Sequence, residues 1–309
     1  MSDHKPIADL LPDAGQRRHL TGIGLMVLAM FIIPFVDTIA KELSSRYATT
    51  QIAWARYFFH FVLMLPLVLY KHGPRALFPL HPGAQILRGG LLMVSTFMYF
   101  SAVALIPLAD ALALVFIYPV VMTALSALVL KEIVGARRWS AVFVGLVGAC
   151  IIIRPGLLAV GPGTLLALGA GITYACYLVA TRRLANHTPP LVTLTFTALM
   201  GAVVFSMLVP AFWQTPSPVD MLLMGLMGAL AACAHYLIIR AFDYAEASVL
   251  APYGYAEVIM TIALGYLIFG DFPDAFTWLG IAIIIASGIY ISFRERKRRV
   301  QVPKKKGRV

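Results

Sequence analysis

Shifted by 139 positions, the second half of this 309-residue chain falls on the first without a gap. Gly161 lands on Gly22, Gly163 on Gly24, Leu208 on Leu69, Ala241 on Ala102, Trp278 on Trp139 and Asp271 on Glu132. A duplication of this extent confines the fold to two copies of one unit, and both copies are apolar almost throughout. Ten apolar segments of spanning length follow one another, at approximately 20–40, 50–70, 85–105, 109–130, 139–154, 161–182, 190–212, 219–242, 247–270 and 276–293. Their connections are short and carry Gly, Pro or charge, as in HGPRALFPLHPG, LANHTPP and WQTPSP. Each half thus holds five spans. Five is odd, so the second half enters the membrane upside down relative to the first, an arrangement found in transporters with a midplane site between their halves.

Composition enters to exclude the alternatives. Sixty percent of the residues are hydrophobic and 13% are charged, against about a quarter charged in soluble domains. The net charge of +11 resembles a nucleic-acid signature until its position is considered. Nine of the basic residues lie between Arg294 and Arg308, a tail suited to anionic lipid headgroups, and no nucleic-acid partner is expected. With the N-terminus in the cytoplasm, 21 Lys and Arg fall on the inner side, among them Arg75, Arg88, Arg137 and Arg240. Lys41, Arg46 and Arg154 fall outside, and Arg56 lies within the second span. Both termini are therefore expected in the cytoplasm, with the first helix as an uncleaved insertion signal. Cys150, Cys176 and Cys233 show no metal or disulfide spacing and read as small core residues.

The segments AFDYAEASVLAPYGYAEVIMTIALGYLIFGD at 241–271, ALIPLADALALVFIYPVVMTALSALVLKE at 104–132 and RPG at 154–156 resemble the EamA branch of the drug/metabolite transporter superfamily. DTIAKEL at 37–43 and IAWARYFFH at 52–60 are similar to a subgroup that includes riboflavin and S-adenosylmethionine transporters. The resemblance implies an all-α polytopic membrane protein of ten transmembrane helices in two inverted five-helix repeats. The repeats would run over 20–156 and 157–293, between cytoplasmic tails 1–19 and 294–309. It implies a secondary transporter in a bacterial-type inner membrane, moving a small organic metabolite by alternating access around a site lined by spans one, three, four, six, eight and nine. Many relatives carry Glu-Pro where this chain divides the pair between its halves, as Tyr118-Pro119 and Glu257-Val258.

The residues give their own reasons for a midplane site. Glu257 lies about 13 Å inside the apolar stretch that begins at Ser248, close to the middle of a hydrocarbon core about 30 Å thick. A carboxylate there is a substrate ligand or proton site, or else a structural group bonded to a neighbouring Tyr or Arg. With Gly254, Thr261 and Gly265 it forms a small, polar stripe. Tyr118, its repeat mate, shares the same central space across the pseudo-twofold axis. Arg56 cannot shed its proton and needs a carboxylate, carbonyls or an anionic group of a substrate. His60 lies four residues on, as a ligand or a packed histidine. Asp37 and Lys41 are spaced as an i, i+4 pair, and Asp37 is alternatively part of an outer gate or substrate site. Tyr99 with Thr96, Tyr174, Tyr177, His235 and Tyr236 supply flat or polar faces for a cavity wall, or else pack between helices. Glu132 and Asp271, at matching helix ends, read as structural anchors.

No metalloprotease, nucleotide-binding, redox or hydrolase motif is present, so no enzyme, metal or cofactor is expected and gradients must supply the energy. A membrane-embedded lipid-modifying enzyme and a non-transporting scaffold are the remote alternatives. Within transport, uptake of a vitamin or nucleoside-like metabolite competes with efflux of amino acids or toxic metabolites. Tyrosine-rich walls favour a flat, partly polar ligand, and riboflavin is the single solute named.

Overall fold

A computed structural model describes residues 14–78, 81–129, 136–153, 161–184, 189–244, 253 and 256–300. Among these the chain is helical, without strands. The helices are α1 (Ala14–Ser44), α2 (Thr49–His72), α3 (Pro82–Val103), α4 (Leu108–Val115), α5 (Tyr118–Val129) and α6 (Ala136–Ile153), followed by α7 (Pro162–Leu184), α8 (Pro190–Leu208), α9 (Pro218–Tyr244), α10 (Ala256–Phe269) and α11 (Ala275–Val300). Six of them, α1, α2, α3, α7, α8 (with the turn that follows it) and α9, contain stretches long and apolar enough to cross a membrane. The outer surface bears large apolar side chains such as Leu128, Met207, Leu222 and Leu267, which suits a hydrocarbon surround.

Packing repeats the duplication of the sequence. α1 lies against α9 as its repeat mate α7 lies against α3, and α2 meets α9 as α8 meets α3. α1 touches α10, and α7 correspondingly touches both α4 and α5. Two pairs of mates, α2 with α8 and α6 with α11, pack directly on each other. At the α6–α11 contact Gly148 and Gly280 face one another: a Cβ on Gly148 would come within 3.1 Å of the Gly280 carbonyl, and one on Gly280 within 2.8 Å of the Gly148 carbonyl. Only backbones without side chains approach that closely.

The fourth expected span is not one helix. It breaks at Phe116 and Ile117, because Pro119 has no N–H to give the carbonyl four residues back, that of Val115. Gly171 of α7 packs against that point; a Cβ there would stand 2.7 Å from the Val115 oxygen. At the repeat offset the first residue of α5, Tyr118, corresponds to Glu257, in the first turn of α10 as described. Glu132, the RPG segment and Gly254 lie outside the described residues.

One end of the bundle is tied by polar contacts between the halves. The Lys41 ammonium meets Asp271 Oδ2 at 2.7 Å, donates at 3.4 Å to the Ile106 carbonyl, and lies 4.8 Å from the centre of the Phe269 ring. The expected Asp37–Lys41 pair is therefore not formed. A partner 230 residues away in sequence displaces the i, i+4 neighbour, and Asp271 acts as the anchor it was read to be. Nearby, Tyr47 donates to Asp220 Oδ2 at 2.8 Å, and Arg46 lies 3.1 Å from the other oxygen of that carboxylate. The fully buried Gln51 amide donates to the Gln214 carbonyl at 2.7 Å and accepts from the Gln214 N–H at 3.0 Å.

Two further expectations need correction. Arg88 is not an inner-loop charge but a buried residue of α3, donating to the Thr193 carbonyl and to the hydroxyls of Thr181 and Thr197. Cys150 and Cys233 are exposed on the helix surfaces rather than packed in the core. A sulfhydryl is apolar enough to face lipid, so its place in an apolar run did not reveal which way it points.

Candidate functional site

The helices enclose a cavity of about 350 Å³, within the range of about 300–1,000 Å³ usual for small-molecule sites. Its wall takes residues from α1, α2, α3, α4, α5, α7, α9 and α10, and hence from both halves of the repeat. Seven of the ten side chains selected from sequence line it: Asp37, Arg56, Tyr99, Tyr118, Tyr174, His235 and Glu257. The three others stand back. His60 stacks behind His235 with ring centres 6.1 Å apart, Tyr177 stacks on Tyr174 at 5.7 Å, and Tyr236 is half-buried outside the lining.

Arg56 carries the main electrostatic feature. It is 8% exposed, and its Nη2 donates to His235 Nε2 at 3.2 Å. Arginine only donates, so His235 accepts at Nε2 and holds its proton on Nδ1. The guanidinium carbon lies 4.8 Å from the centre of the Tyr57 ring. Nη1 has no hydrogen-bond partner, and no carboxylate lies within ion-pair distance of Arg56 among the described residues. Both ring nitrogens of His60, itself 3% exposed, are likewise without partners. A buried guanidinium is costly in an apolar bundle, and this one interacts electrostatically with the Asp37 carboxylate of the same wall.

The two carboxylates differ from it and from each other. Asp37 accepts a hydrogen bond from the Tyr99 hydroxyl at 3.3 Å. Glu257 faces the cavity and, among the described residues, is tied by no hydrogen bond or ion pair. The polar stripe expected along its helix divides: Thr261 turns instead into a small crevice against Ala109, Leu112 and Phe116 of the first half. Aromatic faces complete the wall. Tyr118 and Tyr174 meet edge to face at 5.1 Å between centres, and Phe100 and Phe116 add apolar surface.

Several lining residues carried no sequence signal. Met26, Met30, Leu92 and Met122 line the cavity, yet in an apolar helix a residue facing lipid and one facing a cavity look alike. Ser95 and Thr96 had a weak signal as hydroxyls in a span. In the structure the Ser95 hydroxyl donates to the Ala170 carbonyl at 2.9 Å, and Thr96 pairs with the Tyr57 hydroxyl at 3.0 Å.

Comparison with known proteins agrees with this picture. The EamA-like transporter family matches residues 20–154 and again 161–293. An S-adenosylmethionine uptake transporter of Rickettsia felis is 28% identical over 281 residues, covering 91% of this chain and 95% of that protein. A riboflavin transporter of Vibrio cholerae is 29% identical over 284 residues, covering 90% and 95%. A pseudopaline exporter of Pseudomonas aeruginosa is 26% identical over 278 residues, covering 88% and 96%. One solved crystal structure superposes with a TM-score of 0.64 at 19% identity, over 93% of this chain and 99% of its own, so the two share a fold.

Proposed function

Because the chain belongs to the EamA-like transporter family, we propose that the cavity is the solute site of a secondary transporter working by alternating access. The coarser premise is plain: this is a multi-pass membrane protein of a family of small-molecule transporters, not an enzyme. The finer reading gives it ten spans as two inverted five-helix repeats, 20–156 and 157–293. The mirrored packing of the helices supports this architecture. Both termini lie in the cytoplasm of a cell with an inner membrane, and the basic residues from Arg294 onward rest on anionic lipid.

The observation that carries the reading is a single one. One cavity, walled by both halves, gathers a guanidinium without an ion pair, two carboxylates and a set of tyrosine rings within an apolar bundle. Such groups are expensive in a membrane unless a passing solute uses them. Asp37, Arg56, Tyr99, Tyr118, Tyr174, His235 and Glu257 contact the solute, with His60 and Tyr177 supporting them from behind. Glu257 binds a cationic group or exchanges a proton during the cycle. S-adenosylmethionine and riboflavin, named for relatives, are the solutes to try first. Efflux stays as a second reading because an exporter is also among the relatives.

The test is uptake into liposomes by purified protein, with and without an imposed pH gradient, for wild type and Glu257→Gln. A solute that moves, responds to the gradient and loses that response in the variant makes Glu257 the coupling carboxylate. Transport that survives the substitution with the same pH response rules that role out.

A further inference from the structure

Lys41 stands between two acids. Its ammonium meets Asp271 Oδ2 at 2.7 Å, while Asp37 lies four residues back on its own helix. That spacing puts Asp37 and Lys41 on one face of α1, with the acid nearer the N-terminus, the favourable order for a pair. From α1 the cavity takes Met26, Met30, Ile33, Val36 and Asp37, and nothing beyond Asp37. Lys41 is one turn further along, about 6 Å past the end of that lining. There it gathers three segments. Asp271 and the Phe269 ring come from the end of α10, the helix that carries Glu257 into the cavity, and the Ile106 carbonyl comes from the link between α3 and α4. That link is in turn packed against α7, where a Cβ on Gly163 would come within 2.7 Å of Ile106 Cγ2. The tie thus joins both halves of the chain just past one end of the cavity. The other polar ties nearby, those of Asp220 and Gln51, lie within the closely packed group of α1, α2, α8 and α9. By contrast, α1 meets α3 and α4 only sparingly, and Lys41 bridges that seam.

We propose that Lys41 is a switch residue: paired with Asp271 it holds this end of the cavity shut, and paired with Asp37 it leaves the end open. The switch rests on the reading of this cavity as the solute site of an alternating-access transporter. An ammonium among apolar helices is costly without a counter-charge, so release from one acid requires another within reach. Asp37 is reached by rotation of the lysine side chain alone, with no movement of α1. In the present arrangement Asp37 is only lightly engaged, by the Tyr99 hydroxyl at 3.3 Å and electrostatically by Arg56, and a carboxylate has room for further donors. Exchanging one acid for another costs less than losing an ion pair outright, which suits a step repeated in every cycle. The exchange also ties opening to occupancy. A solute group seated on Asp37 takes the acid that Lys41 needs in the open arrangement and returns it to Asp271, so a loaded site closes behind its solute. At the 139-residue offset Lys41 corresponds to Ala180, so the repeat supplies no second copy of this lysine.

The experiment follows how fast a membrane-impermeant thiol reagent modifies Ser95→Cys, a cavity-lining position, without solute. The full-length protein is used, with Cys150, Cys176 and Cys233 replaced by serine. Reagent is added to one face at a time, in intact cells and in inverted vesicles, so the direction in which the tied end faces is measured as well. On that face Asp271→Asn removes the closing partner and should raise the rate about three- to tenfold. Asp37→Asn removes the opening partner and should lower it by about the same factor. The opposite signs are the signature, because a merely structural tie gives no change in Asp37→Asn. In a Lys41→Met background neither substitution should alter the rate by more than about twofold, since both act through the ammonium. Unchanged or faster modification in Asp37→Asn overturns the switch, as does an Asp37→Asn effect that survives in Lys41→Met. A rate that does not rise in a folded Asp271→Asn overturns it too. Should Asp271→Asn fail to fold, Asp37→Asn compared between the wild-type and Lys41→Met backgrounds decides alone. Uptake of the solutes named above is measured in parallel. Uptake by wild type with modification indifferent to both acids sinks the switch and leaves the transporter reading standing, whereas a failure of uptake bears on that reading alone.

Discussion

The tied end of the bundle and the walls of the cavity use the same residue types in opposite ways. At the tied end, Asp220 takes a hydrogen bond from Tyr47 and an ion pair from Arg46, Gln51 satisfies both groups of one backbone position, and Lys41 meets Asp271. At and behind the cavity wall, Arg56 has no ion pair, both nitrogens of the buried His60 are unmet, and Glu257 faces open space. Polar groups that hold a membrane protein together find their partners within the chain. Those around the cavity are left short of them. The contrast makes stability and binding separable by mutation.

The largest expected effect is at Arg56. Arg56→Gln should lower solute uptake by more than about tenfold while leaving the melting temperature in detergent unchanged or higher, since a buried charge without an ion pair is removed. A drop in melting temperature with normal uptake would erase the distinction between the two regions. Asp220→Ala should do the reverse. It strands the hydroxyls of Tyr47 and Ser217, leaves Arg46 with Glu42 alone, and should cost on the order of 1–3 kcal/mol of stability, read as a lower melting temperature, with solute affinity held within about twofold. Tyr99→Phe sharpens the comparison inside the cavity. It deletes a long hydrogen bond to Asp37 and should weaken solute affinity by about two- to tenfold with no change in melting. Lys41→Ala removes a partly exposed ion pair and should cost about 1 kcal/mol or less. Exchanging the charges, Lys41→Asp with Asp271→Lys, should recover part of that loss in a double-mutant cycle. The smallest effect belongs to Tyr236→Phe, outside the lining, which should leave uptake unaltered.

Much of this was legible in the residues because the membrane allows few solutions. Long apolar runs must be helices, and a 139-residue offset must produce mirrored packing. Ionisable residues inside those runs had to be functional or paired, and Arg56, Asp37 and Glu257 all reached the cavity. Other features escaped for particular reasons. The break at Phe116 is hidden in a continuous apolar pattern and is signalled only by Pro119, whose effect falls on a carbonyl four residues earlier. Lys41 was matched to Asp37 because spacing reveals neighbours on one helix, whereas its partner comes from the other half of the chain. Arg88 was counted among the inner-side charges although it falls within the span read at 85–105, because charge placement alone does not show that it turns inward to threonines of the other half. Met26 and Met122 had no signal, since lipid and cavity select the same side chains.

The repeat has one consequence for how a molecule lies in the chamber. The two halves pack alike, yet the repeat offset matches Tyr118 with Glu257 and Thr96 with His235, all four on the cavity wall. Matching positions of the two halves therefore present unlike surfaces to the chamber. A solute turned end for end meets a phenol where it needs an acid, and a hydroxyl where it needs an imidazole. The chamber can thus tell head from tail.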